Sequence, residues 1–355
     1  MKVLMIGPAR SVNGGISAVV NNYYKAGLDK KVQLQYIGTM EDGSKWHKLK
    51  IAVKAFVEFV TKVSKYDLVH IHMASDSSLY RKIPFIILTK MFRKKLIIHQ
   101  HGGNIKQFYY SECSEKRREF IKKVLQKADA FVVVAPYLKD IFKDIVKEEK
   151  IIVLPNAIEI SKEIKTDYSR QNLLFLGRLC KEKGISELLE VVKELKQEFP
   201  GLQLYLGGVW AEEELEKKAQ MCGDFVHHLG WIDAEKKEEY LRKCNIFVLP
   251  TYFEGLPMSL LEGMAYGCAC VATEVGGIPQ VMTDRKDGLM IPAKDVQALK
   301  GAIRELLVNS DLQKEIGTNA RKTVENNYEI GQSISGLMQI YKCVCSEREK
   351  NDTRE

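Results

Sequence analysis

The chain has eight cysteines but no Cys-x-x-Cys pair, and they are scattered from Cys113 to Cys345. Disulfide frameworks belong to short secreted chains, and zinc sites want clustered thiols with histidine. Reduced thiols are therefore expected. The most suspicious apolar run, Ile83–Leu88, is only six residues, far short of the ~20 a membrane span needs. The opening "MKVLMIG" is too short for a secretory leader, and Gly7-Pro8 ends it. A cytoplasmic protein is expected, at most peripheral on the inner face of the plasma membrane. There is no Gly-x-Gly-x-x-Gly and no Walker loop, so nicotinamide and P-loop chemistry are disfavoured. Asp-x-Asp, a metal-holding acidic pair, is also missing. Solenoid repeats and low-complexity tracts are absent, and no nucleic-acid-binding module appears.

At 355 residues, 45% hydrophobic and 28% charged, the chain is long enough for two ordinary domains. The net charge of +8 is unevenly spread. Residues 1–160 carry 28 Lys and Arg against 15 Asp and Glu, whereas residues 161–355 carry 26 against 31. Only the first half is expected to meet an anionic partner.

Short β-rich apolar runs alternate with helical stretches. In the first half they fall at 2–7, 32–38, 67–73, 95–101, 130–135 and 151–155; in the second at 172–177, 202–208, 225–230, 246–250, 270–275 and 288–292. Strands this apolar are buried on both faces, which predicts parallel sheets covered by helices. The alternation occurs twice, so the expected fold is α/β, with two doubly wound, Rossmann-like domains. They are expected at 1–160 and 171–330, joined by the polar stretch 159–171, with 331–355 as a carboxy-terminal helix.

Ligands of such sheets sit beyond the carboxyl ends of the strands. After 2–7 comes Asn13-Gly14-Gly15, whose backbone N–H groups could face an anion or simply make a tight turn. After 95–101, His101 and Gly102 close the strand. Alternation sends His99 and His101 to the same face, but no third metal ligand is evident nearby, so no metal site is assigned. His101 fits a donor to a sugar hydroxyl or phosphate, or a structural histidine. His70 and His72 look like ordinary sheet residues, and His227 and His228 have no visible partner. After 172–177, Arg178 can fork onto a phosphate and Lys183 adds a point charge, unless the loop is merely a solvated basic turn.

After 246–250 comes "TYFEGLPMSLLEG". A proline suits a helix start and pushes the preceding residue out of the α region. Glu254 should therefore lie in a loop, and Glu262 inside the helix near its second turn. Two carboxylates would then flank a helix amino terminus, itself an anion site.

Taken together, these pieces resemble the retaining GT-B glycosyltransferases of family 4. The matching segments are "NGGIS", "HQHGG" at 99–103, "VLPNAIE" at 153–159, "FLGRLCKEKG" at 175–184, "LGG" at 206–208, "FVLPTYFEGLPMSLLEGMAYGCACVATEVGGIPQVM" at 247–282 and "DGLMIP" at 287–292. The resemblance implies two domains facing an interdomain cleft, with the carboxy-terminal helix crossing back to the first domain. Gly14 and Gly15 would lie against the donor's diphosphate or sugar, and His101, with Gly102 beside it, would touch the transferred sugar. Arg178 and Lys183 would bind the diphosphate. Glu254 would hold sugar hydroxyls, with Gly255, Leu256 and Pro257 offering backbone. Glu262 would take the ribose hydroxyls, and Trp231 and Ile232 would sit by the base. Gln280, where glutamate is common, and Ala269, where proline is common, depart from the pattern and leave the sugar preference open.

The implied activity is transfer of a sugar from a nucleotide-diphosphate sugar, a uridine diphosphate sugar at family level, with retention. Fixed cations would replace a metal, and no cofactor is implied. A nucleotide-sugar 2-epimerase shares this build but needs acid/base carboxylates near the sugar's second carbon, and none is convincingly placed in the first half. A non-catalytic nucleotide-sugar-binding protein is a third reading. Two segments bear on the acceptor: Lys45–Lys65 mixes Trp, Phe, Val and Ile with lysines, and Arg81–Lys95 has an apolar centre with basic ends. Each could pack an apolar face on the sheet or rest on anionic lipid. The expectation is contact with an anionic membrane surface and a glycan or lipid-diphosphate-linked acceptor.

Overall fold

The computed structural model describes residues 1–161 and 164–352. They form two compact units: Met1–Glu159 with the segment from Ile330 onward, and Ile160–Glu329.

The first unit is built on a six-stranded sheet. Its strands are β1 (Lys2–Gly7), β2 (Gln33–Gly38), β3 (Leu68–Met73), β4 (Lys95–Gln100), β5 (Ala130–Val133) and β6 (Ile151–Val153). Their order is β2-β1-β3-β4-β5-β6, and all neighbours are parallel. The second unit's strands are β7 (Asn172–Leu176), β8 (Gln203–Gly207), β9 (Val226–Gly230), β10 (Ile246–Leu249), β11 (Ala269–Thr273) and β12 (Leu289–Ile291). They run β12-β11-β10-β7-β8-β9, again all parallel. Each of the twelve β-rich runs became a strand. The physical reason is visible in β3, β5, β10 and β11, where every residue is buried. Parallel strands covered on both faces have no polar side to alternate with.

In each sheet the chain first builds to one side and then jumps back beside its starting strand. The reversal falls between β1 and β3 in the first unit and between β10 and β7 in the second. Such switch points open a crevice at the carboxyl ends of the two strands involved, because their connecting segments leave in opposite directions.

The helix Ile330–Asp352 belongs to the first unit, where it packs on the helix Gly15–Lys25. Its Tyr341 is fully buried and shares a 2.7 Å hydrogen bond with His70 of β3. In the second unit Gly263 lets the helix Met258–Ala265 lie against β10, since a Cβ there would overlap the Phe247 ring. Asp287 is buried and structural: it accepts from the Thr283 amide at 2.6 Å and the Thr323 hydroxyl at 2.7 Å. No disulfide links the eight cysteines.

Two basic segments of the first unit behave differently. The helix Ser77–Met91 buries its apolar centre, including Ile83, Phe85 and Ile86. Pro84 inside it leaves the carbonyl four residues back without its usual donor. The helix Lys45–Lys62 buries only Ala55 and Phe59. Trp46, Leu49, Val53, Phe56, Val57 and Val60 stay exposed, Trp46 by 81%.

Candidate active site

In the second unit the switch point is lined by two loops. The first follows β7 and runs through Gly177, Arg178 and the short turn Lys181–Lys183. The second follows β10 and runs through Thr251 to Pro257. Backbone and side chain tie them together: the Tyr252 amide donates to the Glu182 carbonyl at 2.8 Å, and the Thr251 hydroxyl donates to that carbonyl at 3.3 Å. Gly184 closes the first loop in the left-handed region at φ 70°, and a Cβ there would collide with the Pro250 carbonyl. The Tyr252 hydroxyl donates to Glu187 at 2.5 Å. Burial, and then that carboxylate, push the phenol well above its usual range. The two loops are therefore one structural piece.

That piece sets Lys183 against Glu254, which form an ion pair with side chains 25% and 13% exposed. Arg178 is exposed at the tip of β7. Glu254 lies in the loop, and Pro257 caps the helix that begins at Met258. Pro257 has no side chain that can cap that helix start, and a helix start is a natural anion seat. Gly255, Leu256 and Pro257 are buried beneath it. Gly276 at φ 57° packs on the Glu254 backbone, where a Cβ would overlap the carbonyl.

Glu262 lies one turn into the helix, as its spacing from Pro257 predicts, but it is not alone there. Lys237, on the helix Ala234–Lys243, holds it at 2.5 Å. Nothing in the sequence marks Lys237, because the pairing joins two helices separated by a strand. Trp231 is half-exposed just beyond β9, and Ile232 packs towards Gly207. His227 and His228 do have partners: Gln203 at 2.7 Å and the Gly208 carbonyl at 2.9 Å.

In the first unit Gly14 and Gly15 are exposed, and a Cβ at either would meet nothing within 4 Å. Gly14 has φ 174°, ordinary extended backbone. Neither glycine is demanded by the chain's own packing. Gly102 and Gly103 follow β4 at φ 112° and 82°, and a Cβ on Gly103 would strike Ser75.

His101 is half-buried and shares a 2.7 Å hydrogen bond with His72 Nδ1. His70 and His72 lie in β3, as read from the sequence, but they do not stand alone there. His72 stands directly opposite His99 in the β3–β4 register, and alternation puts His70, His72, His99 and His101 on one face. Their rings lie against one another: His99 stacks on His101 at 4.1 Å, and His70 meets His72 tilted at 4.3 Å between centroids. His70 and His72, on the adjacent strand, bring further imidazole nitrogens close to His99. Burial pulls all four imidazoles below their usual range, to about 3 for His70 and His101.

A family model described as Glycosyl transferases group 1 matches residues 156–323, and one described as Glycosyltransferase Family 4 matches residues 40–162. The chain belongs to glycosyltransferase family 4. This glycosyltransferase is 26% identical over 278 residues to an uncharacterized glycosyltransferase of Methanocaldococcus jannaschii, covering 73% of this chain and 71% of that one. Sucrose-phosphate synthase from Thermosynechococcus elongatus has the same fold at TM-score 0.81 and 19% identity, over 98% and 99% of the two chains. HepE of Anabaena, solved with UDP-glucose, matches at TM-score 0.80 and 15% identity, over 97% and 100%. These likenesses make the fold GT-B.

Proposed function

We propose that this family 4 glycosyltransferase moves a sugar from a uridine diphosphate sugar to a glycan or lipid-diphosphate-linked acceptor of a surface polysaccharide, with retention. The observation that carries the reading is the joining of the β7 and β10 loops at the switch point. It brings the Lys183–Glu254 ion pair to the start of the Met258–Ala265 helix, with Arg178 exposed on the same β7 loop as Lys183. Breaking a nucleotide–sugar bond builds negative charge on the departing phosphate. Fixed cations and aligned amides stabilise that charge without reorganising. Arg178 and Lys183 bind the diphosphate, Glu254 the sugar hydroxyls and Glu262 the ribose. Gly255, Leu256 and Pro257 supply backbone, and Trp231 and Ile232 flank the base. On the first unit, Gly14 and Gly15 meet the diphosphate or sugar, and His101, with Gly102, the transferred sugar. The two glycines have open space beside them, which suits close approach of a ligand. The UDP-glucose in HepE supports a uridine donor.

No magnesium or manganese is needed at the diphosphate on this reading, since the cationic side chains do that work. The departing phosphate takes the acceptor's proton, and the new bond forms on the face the leaving group vacates.

The Lys45–Lys62 helix supports a lipid surface for the acceptor. Its exposed apolar residues recur every three or four positions, so they form one stripe along the helix. The stripe is flanked by Lys45, Lys50 and Lys54, all exposed. An apolar stripe edged with lysines fits an anionic bilayer interface. No helix among the described residues is long and apolar enough to cross a membrane.

The test is turnover of a panel of uridine, guanosine and adenosine diphosphate sugars, with no added divalent ion. Transfer from a uridine donor that Arg178→Ala and Lys183→Ala abolish supports the reading. Strict dependence on magnesium or manganese, or unchanged rates in both variants, refutes it. Release of a new nucleotide sugar without acceptor would favour the epimerase.

A further inference from the structure

Beneath the carboxyl edge of the first unit's sheet lies a polar cluster that sugar transfer does not use. His70, His72 and His99 are fully buried, and one ligand nitrogen from each lies within 4.8 Å of the others. Buried imidazole nitrogens normally find a hydrogen-bond partner. Here His70 Nε2, His72 Nε2 and both nitrogens of His99 have none.

The pattern of partnered and unpartnered nitrogens is ordered. His70 uses Nδ1 on the Tyr341 hydroxyl at 2.7 Å, and His72 uses Nδ1 on His101 at 2.7 Å. Each therefore keeps Nε2 open. Metal-bound histidine behaves this way: one nitrogen ligates, and the other is held by an outer partner that fixes the tautomer and aims the ring.

Lys82 is a cation that acts on His72 from outside the cluster. It is itself buried and hydrogen-bonded to the Thr39 hydroxyl. The donor set is all nitrogen. Magnesium and calcium prefer oxygen, whereas imidazole suits zinc and its neighbours.

We propose that His70, His72 and His99 form a transition-metal site of the zinc class, with Tyr341 and His101 as its outer partners. Tetrahedral zinc bound at ~2.0–2.1 Å sets its ligand atoms ~3.4 Å apart. The imidazoles therefore need to draw in by at most ~1.4 Å, within reach of side-chain rotation. The site would brace β3 and β4 against the Ile330–Asp352 helix and hold the ring that bonds His101.

The test measures metal and needs no turnover, so its result is independent of donor and acceptor. The full chain is loaded with zinc, desalted and assayed for metal by mass spectrometry. About one zinc per chain is expected in the wild type, and background in the His70→Gln/His72→Gln/His99→Gln variant. Cobalt loading should give the visible absorption of a tetrahedral site. Tyr341→Phe keeps all three ligands and removes one hydroxyl; it should weaken zinc by ~10–100-fold. This variant decides the matter if the triple variant does not fold. Wild-type protein without stoichiometric zinc or cobalt absorption overturns the proposal. So does zinc content unchanged in the triple variant, or zinc affinity unchanged in Tyr341→Phe.

Discussion

The two units handle polar groups at their strand ends in opposite ways. The second unit keeps its groups charged, partly exposed and paired: Lys183 with Glu254, Lys237 with Glu262. The first unit sinks three imidazoles fully into the sheet face with His101 half-buried beside them, and burial pulls all four below their usual range. The difference follows from solvent access. A charge near water keeps most of its hydration, and a partner completes it. A charge taken fully out of water costs several kcal/mol, so a titratable group there gives up its proton instead. One edge thus keeps its charges where water and partners complete them. The other is built to resist protonation.

The largest test of that contrast is acid. Histidines depressed to about 3 in the folded state titrate near 6.5 when unfolded. Between those values the unfolded chain binds more protons. Stability from His70 and His101 is therefore full above ~6.5 and lost as pH falls towards about 3, by up to ~1.4 kcal/mol per histidine per pH unit. Hydrogen exchange at pH 5 should show the first unit opening before the second. Equal protection in both units would remove the contrast.

Next come the charges of the second unit. Lys183→Ala should cost ~2.7–4 kcal/mol of barrier, about 10²–10³ in kcat, with the melting temperature nearly unchanged. Its ion pair is partly exposed, and such pairs contribute little to stability. A large melting shift with little change in kcat would make the pair structural instead.

A smaller effect separates the glycines. Gly184→Ala meets both a left-handed φ and the Pro250 carbonyl, and should destabilise by ~1–3 kcal/mol. Gly14→Ala meets open space and ordinary backbone, and should stay within ~0.5 kcal/mol. It should nevertheless raise the donor KM if a ligand uses that space. Smallest of all, Val57→Ser on the exposed stripe should leave melting alone but weaken retention on anionic vesicles at low salt. Binding indifferent to lipid charge would count against the membrane surface.

Both sheets could be read from the chain, because parallel strands covered on both faces are mostly apolar, as in β5, β10 and β11. All twelve runs mark strands, to within a residue or two at the ends. The loop position of Glu254 and the helix position of Glu262 also follow from local rules: Pro257 stops one state and starts the other. What the chain could not reveal were pairings across strands and helices. Lys237 reaches Glu262 from a different helix, and His70 and His72 meet His99 only through the β3–β4 register. Whether an apolar stripe is covered is likewise a tertiary matter. The Ser77–Met91 and Lys45–Lys62 helices look alike as sequences, yet one is buried and the other bare. Composition and periodicity determine which segments become strands and helices, since those depend on neighbours along the chain. Which charge is neutralised, which imidazole is left open and which face meets water depend on neighbours in space, and only folding assigns those.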